Sequence, residues 1–263
     1  MILRRAFFLL ALVLASAASA ARADGIATAR YLAPTDRYGH FALGRPHEYA
    51  RVAITTDSGR RIEWELPDNQ VFEDLAPRLV RMAPGEPVEL LTIVSRRQDG
   101  ARLVLLRLDG DRLDISAQAP PVGTPMRWLN PVGVADLDGD GRSEVAMVST
   151  PHIGGILRVF RREGRQLVEV ASLAGFSNHV YGSTELALST PLRIGGHLRL
   201  LVPDFGRRNL RIVALQGGRL VETARCALPA QVTGSIRIVS ADEVAVGLHG
   251  GWHTLRPDAC TPS

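Results

Sequence analysis

A chain of 263 residues that is 46% hydrophobic, 22% charged and 5% aromatic has the length and apolar content for a sizeable core, which excludes a disordered polymer, a collagen and a disulfide-stapled miniprotein. All 31 basic residues are Arg, set against 27 acidic ones, and no clustered basic face emerges, so no nucleic-acid partner is expected. After residue 23 no run approaches the roughly 20 apolar residues needed to cross a bilayer, so the mature chain is expected to have no membrane span.

Residues 1–23 read as a secretory signal: Arg4 and Arg5, an apolar stretch from Ala6 to about Ala15, then small residues with cleavage sites after Ala20 or Ala23. Removing this segment takes away Arg4, Arg5 and Arg22 and no acid, leaving 28 basic and 27 acidic residues. The location expected is periplasmic or extracellular. In that oxidising setting the two cysteines, Cys226 and Cys260, read as one disulfide.

The remainder repeats. Five apolar strands begin at Ala50, Glu89, Glu144, His197 and Glu243, which are 39, 55, 53 and 46 residues apart. Each is followed, after a turn of Gly, Asp, Ser or Pro, by a second strand: RRIEWEL, ARLVLLRL, GILRVFRR, NLRIVAL and WHTLRP. The middle units add a third strand across a tight Gly turn, as in LDGDRLDIS and QGGRLVETA, and another apolar stretch precedes each unit. Four antiparallel strands at this period predict an all-β fold, a β-propeller of five four-stranded blades in one domain over residues 24–263. The fifth unit ends after three strands. TARYLAP from Thr28 echoes TARCALP from Thr223, so the N-terminal strand is expected to supply the missing outer strand and close the ring.

Between the first two strands of the third unit lies DLDGDGRSE, with Asp136, Asp138, Asp140 and Glu144 at positions one, three, five and nine and Arg142 at position seven. Alternating carboxylates separated by Gly curl around a hard cation that takes six to eight oxygens, such as Ca²⁺. An EF-hand needs Glu at position twelve, where this chain has Met147, and flanking helices where it has strands. Over VGVADLDGDGRSEVAMVST the sequence resembles the FG-GAP (VCBS) repeat family, the calcium-loop blades of integrin α chains and many secreted bacterial proteins. The resemblance implies Asp136, Asp138 and Asp140 as side-chain ligands, Arg142 as a carbonyl ligand and Glu144 as the closing carboxylate of one structural calcium ion. The corresponding turns of the second, fourth and fifth units, RMAPGEPVE, LRIGGH and VSADE, lack the Asp set.

HExxH, CxxC, Gly-x-Ser-x-Gly, P-loop and GxGxxG signatures are absent from the sequence. The segments leading into successive blades carry Tyr38, His40, Asp74, Trp128, Asn130, Asn178, His179 and Tyr181. In a propeller such loops converge around the axis, opposite the calcium loop, and mixed aromatic and polar groups there suit a small polar ligand, a glycan or a protein. The expected function is a secreted, monomeric, non-catalytic binding or interaction scaffold. The alternative is a propeller hydrolase or lyase acting on a glycan, which needs carboxylates or His gathered on the entry face.

Overall fold

Short apolar runs rich in Val, Ile and Leu, separated by Gly, Asp, Asn and Pro, favour strands over helices. The structure, a computed structural model describing residues 24–263, is correspondingly all-β, with one 3₁₀ turn at Pro257–Ala259. The expected signal segment lies outside the described residues. Among the described residues no helix is long and apolar enough to cross a membrane.

The first unit comprises β1 (Ile26–Pro34), β2 (Tyr49–Thr56) and β3 (Arg61–Glu65), and β4 (Gln70–Phe72) bridges it to the second. The second runs β5 (Arg78–Val80), β6 (Glu89–Arg96), β7 (Gly100–Asp109) and β8 (Arg112–Gln118). The third is β9 (Leu129–Ala135), β10 (Glu144–Ser149), β11 (Ile156–Glu163) and β12 (Gln166–Ala174). The fourth is β13 (Thr190–Ile194), β14 (His197–Pro203), β15 (Asn209–Gln216) and β16 (Arg219–Ala227). The fifth has three strands, β17 (Val232–Ile238), β18 (Val244–Leu248) and β19 (Gly251–Leu255), and a short β20 (Thr261–Pro262) follows.

Within the second, third and fourth units each strand pairs antiparallel with the next. The tight turns carry their Gly where expected: Gly217 and Gly218, both at positive φ (54° and 73°), form the two-residue turn between β15 and β16. The strands fall into sheets of twelve, five and three, the largest assembled by β4 and by a single parallel bridge between β8 and β12.

The expected ring closure is corrected here. β1 pairs along its length with β2, from Ile26↔Thr56 to Pro34↔Tyr49, and does not reach the fifth unit. Its Tyr31 stacks on Tyr49 and Phe72, with ring centroids 5.6 and 4.8 Å away, and Ile26 is buried in the same apolar cluster. Among the described residues no strand pairing joins the fifth unit to the first. The echo between TARYLAP and TARCALP marks two strands of like patterning, not two equivalent positions.

Side chains alternate across each central strand, and this places the core. Leu90 and Val94 of β6 face Val52 and Ile54 of the first unit. Leu91 and Ile93 face the opposite way, toward Val145 and Met147 of β10. Ala146 and Val148 then meet Leu200 and Val202, and Leu201 meets Val244 and Val246. Four apolar clusters thus fill the four spaces between successive units. β6 and β10 are buried on both faces, which is why they read as continuous apolar runs.

Cys226 of β16 and Cys260 form the expected disulfide, with Cα atoms 4.8 Å apart. β20 pairs with β16 beyond it, so the C-terminal residues close onto the fourth unit.

Candidate functional site

β9 and β10 are joined by the acidic loop. Its Gly residues allow the backbone to curl inward: Gly139 N and Gly141 N donate to the two oxygens of Asp136 (2.8 and 3.1 Å), Asp140 N to Asp138 (3.2 Å) and Arg142 N to Asp140 (2.8 Å). Glu144, buried at the start of β10, accepts from Leu137 N at 2.9 Å. Carboxylate oxygens of Asp136, Asp138 and Glu144 all lie within 4.8 Å of one another, an oxygen set of the kind a hard cation takes. Asp140 is not in this convergence, so of the four carboxylates expected as ligands three are brought together. The Arg142 amide serves the loop's own turn.

Arg161 of β11 reaches into the same cluster. Its guanidinium bonds Glu144 at 2.9 and 3.1 Å and pairs with Asp138. Burial pushes the Glu144 carboxyl up, while the Leu137 amide and Arg161 pull it back. Two of the three converging carboxylates therefore already have a cation beside them, one the sequence reading did not identify because it lies on the next strand.

At the other end of β10, roughly 20 Å away for six residues of strand, the entry segments do converge, but most of the residues expected to face a ligand are spent on one another. Asn130 and Asn178 exchange amide bonds, each Nδ2 donating to the other's carbonyl at 3.1 Å. Trp128 is buried, with Nε1 donating to the Glu73 carbonyl at 2.8 Å. The buried Tyr38 hydroxyl accepts from Met126 N (3.1 Å), and burial raises its pKa. Asp74, also fully buried and pushed up for that reason, is paired with Arg78 and accepts from Leu75 N. Tyr38, Asp74, Asn130, Asn178 and His179 are accordingly core residues, a correction to the ligand-face expectation: their hydrogen-bond donors and the Asp74 carboxylate find partners inside the protein, while the side-chain oxygens of Asn130 and Asn178 are buried without one.

What stays open is a groove of about 280 Å³ lined by His40, Met126, Arg127, Thr150, His152, Ile153, Tyr181 and the face of Trp128. Of the expected ligand-face set, His40, Trp128 and Tyr181 reach it. Tyr181 is 58% exposed and donates its hydroxyl to the His40 carbonyl at 2.9 Å. Gly155 holds the His152 turn in place: a Cβ there would sit 1.6 Å from the Phe176 carbonyl oxygen, so no other residue lets β11 start so close to the next entry segment. Phe41, Met126 and Thr150 all have φ near +50°, a costly conformation for a β-branched Thr and one that clusters at functional loops.

The imidazoles in and under this groove have assignable tautomers. Ser183 offers a carbonyl, which only accepts, so His179 Nε2 carries the proton between them (2.9 Å). His179 Nδ1 is then an acceptor, and His152 Nε2–H donates to it at 2.8 Å. His152 Nδ1 is left as a bare lone pair. Burial lowers both rings, His152 to about 3 and His179 to about 4, so both are neutral at physiological pH. His40 Nδ1 lies 2.7 Å from the buried Glu73 carboxylate but off the direction of a ring N–H, an electrostatic contact more than a formed hydrogen bond. Burial pushes the Glu73 carboxyl up and the His40 ring beside it opposes that rise.

His152 was missed at the sequence level. Its signal is its place in the turn Thr150-Pro151-His152, directly after a central strand and so at the entry end of the sheet. No protein-family model matches the sequence, and no curated protein matches it.

Proposed function

We propose that the protein is a secreted or periplasmic β-propeller of the FG-GAP type, carrying one structural Ca²⁺ and serving as a non-catalytic scaffold that binds its partner on the entry face. One observation carries the reading: β10 has a three-carboxylate loop at one end and an open groove at the other, on the same rigid strand. The stacking of successive antiparallel units around shared apolar clusters supports a propeller. Asp136, Asp138 and Glu144 would hold the ion, with carbonyl and water oxygens completing its shell. Its chemistry is charge neutralisation: carboxylates held this close repel one another, so a cation binds the folded state in preference.

At a free concentration ~100 times the dissociation constant, that linkage adds about 2.7 kcal/mol. Calorimetric titration with Ca²⁺ is expected to give one site in the ~0.1–1 mM range of extracellular modules, lost in Asp138→Ala with the fold retained. Arg161→Gln is expected to tighten calcium binding about tenfold, because it removes a positive charge that competes for the same oxygens. Zero ions, or several equivalent ones, would falsify the single-site reading.

The groove offers an exposed aromatic ring, apolar rims at Ile153 and Met126, and the Arg127 guanidinium, a mixture suited to a peptide or glycan carrying an anionic group. A panel of peptides and glycans is expected to give ligands whose affinity Tyr181→Ala reduces tenfold or more, with the melting temperature unchanged to within ~2 °C. Equal binding by Tyr181→Ala would place the recognition surface elsewhere.

A further inference from the structure

Two imidazoles line the groove, and each is held from behind. His152 is fixed by the relay through His179 to the Ser183 carbonyl, and His40 has the buried Glu73 carboxylate against its Nδ1. In His152 one ring nitrogen is anchored on an acceptor and in His40 one lies against a carboxylate, with the other nitrogen bare in both, an arrangement related to the one by which proteins orient histidine for a metal ion. The bare atoms are Nδ1 of His152 and Nε2 of His40. Neither forms a hydrogen bond within the described protein, and neither is shut away from solvent. Both rings pack on the same Tyr181, with centroids 5.2 and 6.2 Å from it, and the thioether of Met126 lines the same space.

We propose that the groove binds one borderline-soft divalent cation, of the zinc or copper class, through Nδ1 of His152 and Nε2 of His40. Imidazole and thioether donors favour such ions over Ca²⁺ or Mg²⁺, which require oxygen. The site is therefore chemically distinct from the acidic loop at the far end of β10. Two protein nitrogens leave coordination positions open, and a carboxylate or other donor of the groove's partner would occupy them. The inference deepens the reading of the groove as the recognition face and rests on it. His179 and Glu73 are positioning residues, His179 through its hydrogen bond to His152 and Glu73 through its charge beside His40.

The experiment is calorimetric titration of tag-free protein with Zn²⁺ and, separately, Cu²⁺, in the presence of excess Ca²⁺. One ion is expected to bind, with affinity falling at least tenfold in His40→Ala and in His152→Ala. Asp138→Ala and the double variant His249→Ala/His253→Ala, which removes the two histidines in and just after the β18–β19 turn, are expected to bind as the parent does. In case the groove variants fold poorly, the seven histidines of the parent protein give a second readout by nitrogen-15 NMR. Zn²⁺ is expected to shift the His40 Nε2 and His152 Nδ1 resonances selectively. His179→Gln, which still accepts from His152, should bind more tightly than His179→Ala, an order that loss of packing alone does not predict. Absence of binding, signal changes confined to His249 and His253, or full affinity in both groove variants overturns the site. Absence of metal binding by the parent protein, with its peptide or glycan binding intact, sinks this inference and leaves the recognition face standing; absence of both in the parent sinks the recognition face as well.

Discussion

Trp128→Ala is expected to destabilise the protein by about 3–5 kcal/mol, the range for truncating a large buried aromatic. The indole is 1% exposed and sits in the cluster between the second and third units, against Leu129, Val145 and Met147. Its ring packs on His179 with centroids 4.7 Å apart, and its Nε1 satisfies the Glu73 carbonyl at 2.8 Å. Removing it opens a cavity, strands that carbonyl inside and releases the ring surface against which the two histidines lie. Trp128→Phe keeps most of the volume but not the donor and is expected to cost roughly 1–3 kcal/mol, near the penalty of an unmade buried hydrogen bond. Urea denaturation of both variants checks this, and a loss below ~1 kcal/mol for the Ala variant would show that the entry segments repack freely.

Loss of the Cys226–Cys260 bridge should have the next largest effect. The two residues are 34 apart in sequence, and closing a loop of that size restrains the unfolded chain by roughly 3–4 kcal/mol on the chain-entropy account. The double variant Cys226→Ala/Cys260→Ala is expected to show this loss in urea melts, with no further loss on adding reductant. The parent protein should fall to about the same stability once reduced. If reduction left the parent midpoint unchanged, the bridge would be restraining a segment already ordered in the denatured state.

Much of the fold is legible in the sequence because its contacts are local. Each hairpin from β6 to β16 is set by short strand-length apolar runs and a Gly turn, both visible within about twenty residues. β1 was misplaced because a strand's sequence states its alternation and not its partner. Seven or so residues such as TARYLAP suit any open edge, and the choice was made by Tyr31 finding Tyr49 and Phe72. The same division holds at the sites. Asp136, Asp138 and Glu144 lie within nine residues, so their convergence was visible, whereas Arg161 enters from the neighbouring strand. His152 and His179 meet across 27 residues, and nothing near either one announces the other. The burial of Asn130 and Asn178 was hidden for a like reason: an exposed amide and one bonded to a distant carbonyl are spelled the same way.

Five units share four apolar clusters, and this has a mechanical consequence. In the interior of the series each sheet is gripped on both faces. The first and fifth units each share an apolar cluster with one neighbour. A stack whose stability is shared between neighbours frays from its ends. Hydrogen exchange should therefore be fastest at β19 and β3 and slowest at β6 and β10. On this view the disulfide is a clamp on a loose leaf: it fastens the residues just after β19 to β16, the nearest sheet that has a core on both sides, and converts opening of the fifth unit from a free peel into a tethered swing.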